Sequence, residues 1–178
     1  STPAKGDWIA IYIEDGTVTL DYAVVRYAGG SNYYPGAITQ RCTLASANNA
    51  TISINHSTLS DNGQPAVYLS SATGVSGSLS LLNSTVQNNT GSGVSVQAGF
   101  PVTIDNCVIS GNTYNGVDIY YSASPIALTN STLSNNNNYA AYFSLSSGNA
   151  LTLSGNQGSG NLYNAMYMYG TFNDLTLA

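Results

Sequence analysis

Charge is scarce in this sequence. Only 6% of its 178 residues are charged, and the bases Lys5, Arg26 and Arg41 face eight acids, for a net charge of −5. Nucleic-acid binding needs a basic stripe along one face, and these three residues cannot form one. No run of about 20 apolar residues is present, so no helix is expected to span a membrane. The opening STPAKGDW does not read as a signal peptide, so any export signal is expected to have been removed or to lie outside this chain. A disordered chain is excluded as well. Hydrophobic residues make up 43% of the sequence, and they recur at regular positions that a disordered chain would lack.

What is present is order at two lengths. An apolar–small–apolar triplet returns as Val18–Leu20, Ile52–Ile54, Leu79–Leu81, Val102–Ile104, Ile126–Leu128, Leu151–Leu153 and Leu175–Leu177, at steps of 34, 27, 23, 24, 25 and 24 residues. Periods in this range mark repeat architectures, in which each unit buries its apolar side only against its neighbours. Inside each unit apolar and small polar residues alternate, the period of a strand rather than a helix.

Further columns align on the same repeat. A second strand carries Val25, Leu59, Val86, Ile109 and Leu133 inward, with Gly158 breaking the column. Two positions earlier stand Ala23, Ser57, Ser84, Cys107, Ser131 and Asn156, mostly small. A third strand gives Val67, Val94, Val117, Ala141 and Met166, then Leu69, Val96, Ile119, Phe143 and Met168. Between second and third strands come Asn62, Asn89, Asn112, Asn136 and Asn161. Stacked coils place such residues about 4.8 Å apart. Each Asn is therefore expected to tolerate the bend and donate its amide to the next copy, as a ladder.

These columns resemble the right-handed parallel β-helix family, the pectate-lyase-like solenoids, from about Ile9 to Leu177. The resemblance implies an all-β, single-stranded, right-handed parallel β-helix with three short strands per turn and about six to seven turns. Its three parallel sheets would enclose a dry, filled interior, and crossovers between parallel strands are almost always right-handed. One domain over 1–178 is expected, long enough for a core, with 1–8 as a lead-in and 29–36 as a loop insertion. Trp8 is expected to cover part of the first layer. Ile9, Ile11 and Ile13 match a third strand, and Val18 and Leu20 a first. Leu175 and Leu177 form a last first strand, and neither end shows a clear cap.

Catalysis must be tested against the carboxylates. Asp7, Glu14, Asp15, Asp21, Asp61, Asp105, Asp118 and Asp174 scatter over different corners and turns. Asp21 and Asp105 share a column about three layers, roughly 14 Å, apart, too far for a glycosidase pair. Asp118 is expected to face outward on the third sheet with no base near it. The GHG and RIK stretches of polygalacturonases, the Asp-rich calcium cluster and Arg base of pectate lyases, and the DPHE-like motif of alginate epimerases are absent. No catalytic residue, metal site or cofactor is therefore assigned. His56 shares a bend column with Asn83, Asn106 and Asn130, and is expected to be a hydrogen-bonding turn residue without metal partners. Cys107 reads as a small buried filler, in a different column from Cys42, so a disulfide is not expected.

Two surfaces remain. Outward positions of the third sheet include Tyr12, Tyr68, Tyr120, Tyr142, Tyr167 and Tyr169, with Arg41 and Gln97, and Tyr114, Tyr121, Tyr139 and Tyr163 are expected in nearby bends. Such a face can stack on sugar rings or meet a protein, or is simply good strand chemistry; Tyr68, Tyr120, Tyr142, Tyr167 and Tyr169 are the candidate contacts. Ice binding is disfavoured, because Val108 and Gln157 interrupt the outward Thr58, Thr85 and Thr132. The two ends are the other surface. The reading is a non-catalytic extracellular or cell-surface structural protein that assembles head to tail, Leu175 and Leu177 of one copy stacking on Ile9 to Leu20 of the next. The alternatives are a segment of a larger surface adhesin joined to flanking domains, or a module that binds or processes polysaccharide.

Overall fold

The computed structural model describes residues 2–41, 50–70, 77–97, 99–120 and 124–177, without the side chains of residues 41 and 146–148. Cys42 and Tyr121, and the side chain of Arg41, therefore lie outside the described residues. The described chain holds eighteen strands and no helix. They begin with β1 (Ile11–Ile13), β2 (Gly16–Asp21), β3 (Val24–Arg26), β4 (Ile38–Arg41), β5 (Ala50–Asn55) and β6 (Thr58–Ser60). Next come β7 (Val67–Ser70), β8 (Gly77–Leu82), β9 (Thr85–Gln87), β10 (Val94–Gln97), β11 (Val102–Asp105) and β12 (Val108–Ser110). The last are β13 (Val117–Tyr120), β14 (Ile126–Thr129), β15 (Thr132–Ser134), β16 (Tyr139–Ser154), β17 (Gln157–Ser159) and β18 (Tyr163–Leu177).

Every pairing is parallel, and the repeat columns are the registers. The first strands match Val18 to Ile52, Leu79, Val102, Ile126, Leu151 and Leu175 in succession. The second run Val25, Leu59, Val86, Ile109, Leu133 and Gly158. The third run Ile11, Ile38, Val67, Val94, Val117, Ala141 and Met166. Three strands per turn thus stand. By hydrogen bonding they make two sheets, because β16 runs unbroken through a corner and joins the first-strand ladder to the third-strand ladder. Isoleucine, leucine and valine of all three ladders point inward into one continuous core. Burying a side chain of this kind stabilises the fold by about 1.5–3 kcal/mol.

The corners are made by single residues in the left-handed region. Between first and second strands these are Tyr22, His56, Asn83, Asn106, Asn130 and Gly155, with φ of 47–64°. After the second strand they are Tyr27, Asp61, Asn88, Gly111, Asn135 and Gly160, with φ of 55–66°. Asparagine, aspartate and glycine suit this conformation best, which explains most of both columns. The expectation that the buried Asn ladder itself takes up the bend is corrected here. The strained residue precedes each rung.

The rungs are freed to serve the hydrogen bonds. Asn62, Asn89, Asn112 and Asn136 each donate Nδ2–H to the Oδ1 of the next, at 2.8–3.0 Å. Each also donates to a carbonyl of the preceding coil: Val25, Leu59, Val86 and Ile109 respectively. Every Oδ1 from Asn89 onward also accepts the backbone N–H of the rung before it. The interior rungs therefore use all four valences of the amide, so burial leaves nothing unpaired. Asn161 ends the ladder on Asn164 Oδ1, and at the other end the Ala28 amide donates to Asn62.

A second, smaller ladder runs through the column that contains Cys107. Ala23 N–H donates to Ser57 Oγ, Ser57 N–H to Ser84 Oγ, and Cys107 N–H to Ser131 Oγ. Cys107 is buried and free, its thiol donating to the Asp105 carbonyl at 3.2 Å, and burial pushes its pKa up to about 11. It is a filler that keeps the column's polarity, and its thiolate is inaccessible at neutral pH.

Candidate functional site

The acids are dispersed in space as in sequence. Asp61 pairs with Arg26 at 2.8 Å across one layer. Partial burial raises its carboxyl, but Ser60, Arg26 and Asn88 together outweigh that and hold it below the usual value. Asp105 is held low by hydrogen bonds from Thr129 and Asn130. His56 faces Asp21 at 3.3 Å and stacks on Tyr22, so the lone histidine is a turn residue with local partners. No group of three metal-capable side chains occurs among the described residues.

Asp118 is the exception. It lies on the outer side of β13, where the alternation places it, yet it is buried. It is only 5% exposed and hydrogen-bonds Asn115, Ser92 and Tyr120. Ser92 Oγ–H donates to its Oδ2 at 3.2 Å. Burial pushes its carboxyl above the ordinary value, with Asn115, Ser92 and Tyr120 opposing. In turn, burial and the Asp118 charge push the Tyr120 phenol upward. Ser95 and Thr39, on the same outward column, are likewise buried. In that column Thr39, Ser95 and Asp118 stand between Tyr12, Tyr68 and Tyr142.

Of the five candidate tyrosines, three come together. Tyr120 lies 5.3 Å from Tyr142, and Tyr142 stacks on Tyr167 at 4.9 Å with planes 7° apart. Tyr139 and Tyr163 join them, 4.8 Å from each other and 27° apart. These two were expected in bends; instead they open β16 and β18 and are register partners. Tyr68 stands apart, its hydroxyl donating to Gln97 Oε1. Tyr169, opposite Ser144, is 65% exposed further along β18. The loop over 29–36 puts Tyr34 edge-on to Tyr12 at 5.0 Å, on the first layer of the same face.

The two end layers differ. In the first, Ile13 is buried, Ile11, Val18 and Leu20 are half-buried, and Ile9 is exposed. Residues near the start cross this end: Trp8 Nε1–H donates to the Arg26 carbonyl, and the Gly6 amide to that of Ala28. In the last layer, Met168, Leu175 and Leu177 are 37%, 41% and 62% exposed. With Leu153, Ser154, Gly155, Asn156 and Met166, Met168 and Leu177 line a groove of about 500 Å³.

A parallel β-solenoid with an internal asparagine ladder is the class that these observations define. The family model for the right-handed β-helix region matches residues 8–178, and the chain belongs to that family. The helix is accordingly right-handed. The family includes enzymes of the pectate-lyase kind and proteins that are not enzymes. No curated protein and no solved structure matches the chain.

Proposed function

We propose that this chain is a non-catalytic structural β-helix working outside the cell or on its surface, and that its last layer carries a further coil supplied by a second copy. The observation that supports this reading is the exposed inward column of β18: Met168, Leu175 and Leu177 lack the covering coil that their counterparts have in each earlier layer. Parallel stacking of Ile11, Val18 and Leu20 of another copy would cover them in the same register. That contact is heterologous and propagates into a filament. Dispersed carboxylates, each engaged locally where a partner is seen, support a scaffold over a catalyst.

Electron microscopy and sedimentation of the native chain at neutral pH test this. Filaments one prism wide, abolished by Leu175→Asp, are expected. A monomer at every concentration would sink self-assembly and leave the flank of a longer surface protein as the covering coil.

A second reading draws on the tyrosine cluster. The stacked, solvent-reachable rings of Tyr142 and Tyr167 on the outer face have the composition of a sugar contact. A polysaccharide panel read by tyrosine fluorescence tests it; binding lost on Tyr142→Ala or Tyr167→Ala supports it, and silence across the panel removes it.

A further inference from the structure

Tyrosine contacts in this molecule range from edge-to-face through tilted to parallel, and of the two stacked register pairs Tyr139–Tyr163 is 27° from parallel and Tyr142–Tyr167 only 7°. Tyr12–Tyr34 and Tyr33–Tyr34 meet edge to face, at 65° and 81°. Tyr142 and Tyr167 lie face to face, 7° from parallel, with centroids 4.9 Å apart. They are register partners on the outer side of β16 and β18. Backbone pairing therefore holds their Cα atoms one strand spacing apart. Neither ring is sealed off: Tyr142 is half-buried and Tyr167 exposed.

We propose that Tyr142 and Tyr167 are an oxidative modification site, a phenol pair placed to be joined as dityrosine by a peroxidase-type oxidant. Each phenol gives up one electron and its hydroxyl proton, leaving a radical spread over oxygen and the ortho ring carbons. The two radicals pair in a new carbon–carbon bond between ortho positions. The hydrogens on those carbons then move to the oxygens and restore both phenols. Per link, two tyrosines and one hydrogen peroxide give one dityrosine and two waters, so electrons and protons balance.

Geometry selects the pair. In the parallel stack the two rings lie side by side with centroids 4.9 Å apart. Bond formation there needs rotation about side-chain torsions and no backbone shift. An edge-to-face pair presents one ring end-on and needs a larger swing. Tyr120, Tyr139 and Tyr163 lie within 4.8–6.0 Å of this stack or of one another. A radical formed on any of them can be passed to a neighbouring ring, so the cluster collects oxidation and the parallel pair traps it. The bond would pin β18, a largely exposed strand, to the layer beneath. The proposal is independent of whether copies assemble.

Dilute chain treated with hydrogen peroxide and a haem peroxidase provides the test, read by intact mass, dityrosine fluorescence and peptide mapping. Monomer that has lost the mass of one hydrogen molecule is expected, with the linked peptides containing Tyr142 and Tyr167. Oxidation of Met166 or Met168 adds oxygen and is distinguished by mass. Tyr142→Phe and Tyr167→Phe, which keep the stacked ring, should each abolish the link, whereas Tyr68→Phe should retain it. A link that maps to other tyrosines, or dityrosine found only between chains, would overturn the assignment.

Discussion

Asp118 carries a cost that its surroundings only partly offset. Ser92 and Tyr120 hydrogen-bond it, yet burial keeps its carboxyl above the unfolded value of 3.8. As pH rises from 3.8 through the raised value, the unfolded chain loses this proton first, so the native state binds more protons and stability falls. Asp118→Asn should therefore melt higher than the parent near pH 7, and the gap should close below about pH 3.8. A lower melting temperature at neutral pH would show that the charge is used rather than tolerated. Gln40 poses a similar problem on the inner side. It occupies the column of Ile13 and Leu69, fully buried, and neither its Oε1 nor its Nε2 has a partner among the described residues. Gln40→Leu is expected to stabilise the chain by about 1–3 kcal/mol in denaturant titration, since an unmade buried hydrogen bond is removed.

Among the elements, the buried and exposed ladders look alike in sequence and differ in energy. Asn112 sits between Asn89 and Asn136 with all its valences used. Truncation to alanine strands the buried backbone N–H of Asn89 and one hydrogen of its Nδ2, and leaves Asn136 Oδ1 with the backbone N–H of residue 112 alone. A loss of about 2–4 kcal/mol is expected. Asn106, by contrast, is exposed, and donates to Asn83 Oδ1 where water can replace it. Asn106→Gly keeps the positive φ and removes only that rung, so a loss under about 1 kcal/mol is expected. Equal losses at the two sites would contradict this account of the ladder. The buried column was legible because its period survives every coil, from Asn62 to Asn161. Which residue takes the left-handed bend was less so, since Asn, Asp, Gly, His and Tyr all occupy those corners.

For the whole molecule, cohesion falls toward one end. Layers in the middle are covered on both sides, whereas β18 is covered only by β16. In a solenoid each layer contacts only its neighbours, so the end layer opens first. Amides of β18 should exchange with solvent at least about 100-fold faster than those of β11 and β12. Conditions that add a coil or the tyrosine link should slow them. Uniform exchange along the chain would mean that the coils open together.

The sequence alone determined the coil, its period and its register, because in a parallel solenoid each inward column is a single repeated choice of residue. Alternation put Asp118 and the tyrosines on the outer face correctly. Only the tertiary structure decided what that face covers itself with. Asp118 is buried there and hydrogen-bonds Tyr120, and Tyr142 stacks on Tyr167. The same holds for the ends. The columns give them matching residues, but their unequal exposure depends on where residues 4–9 cross the first layer. Those contacts run against the repeat, and a repeat pattern cannot encode them.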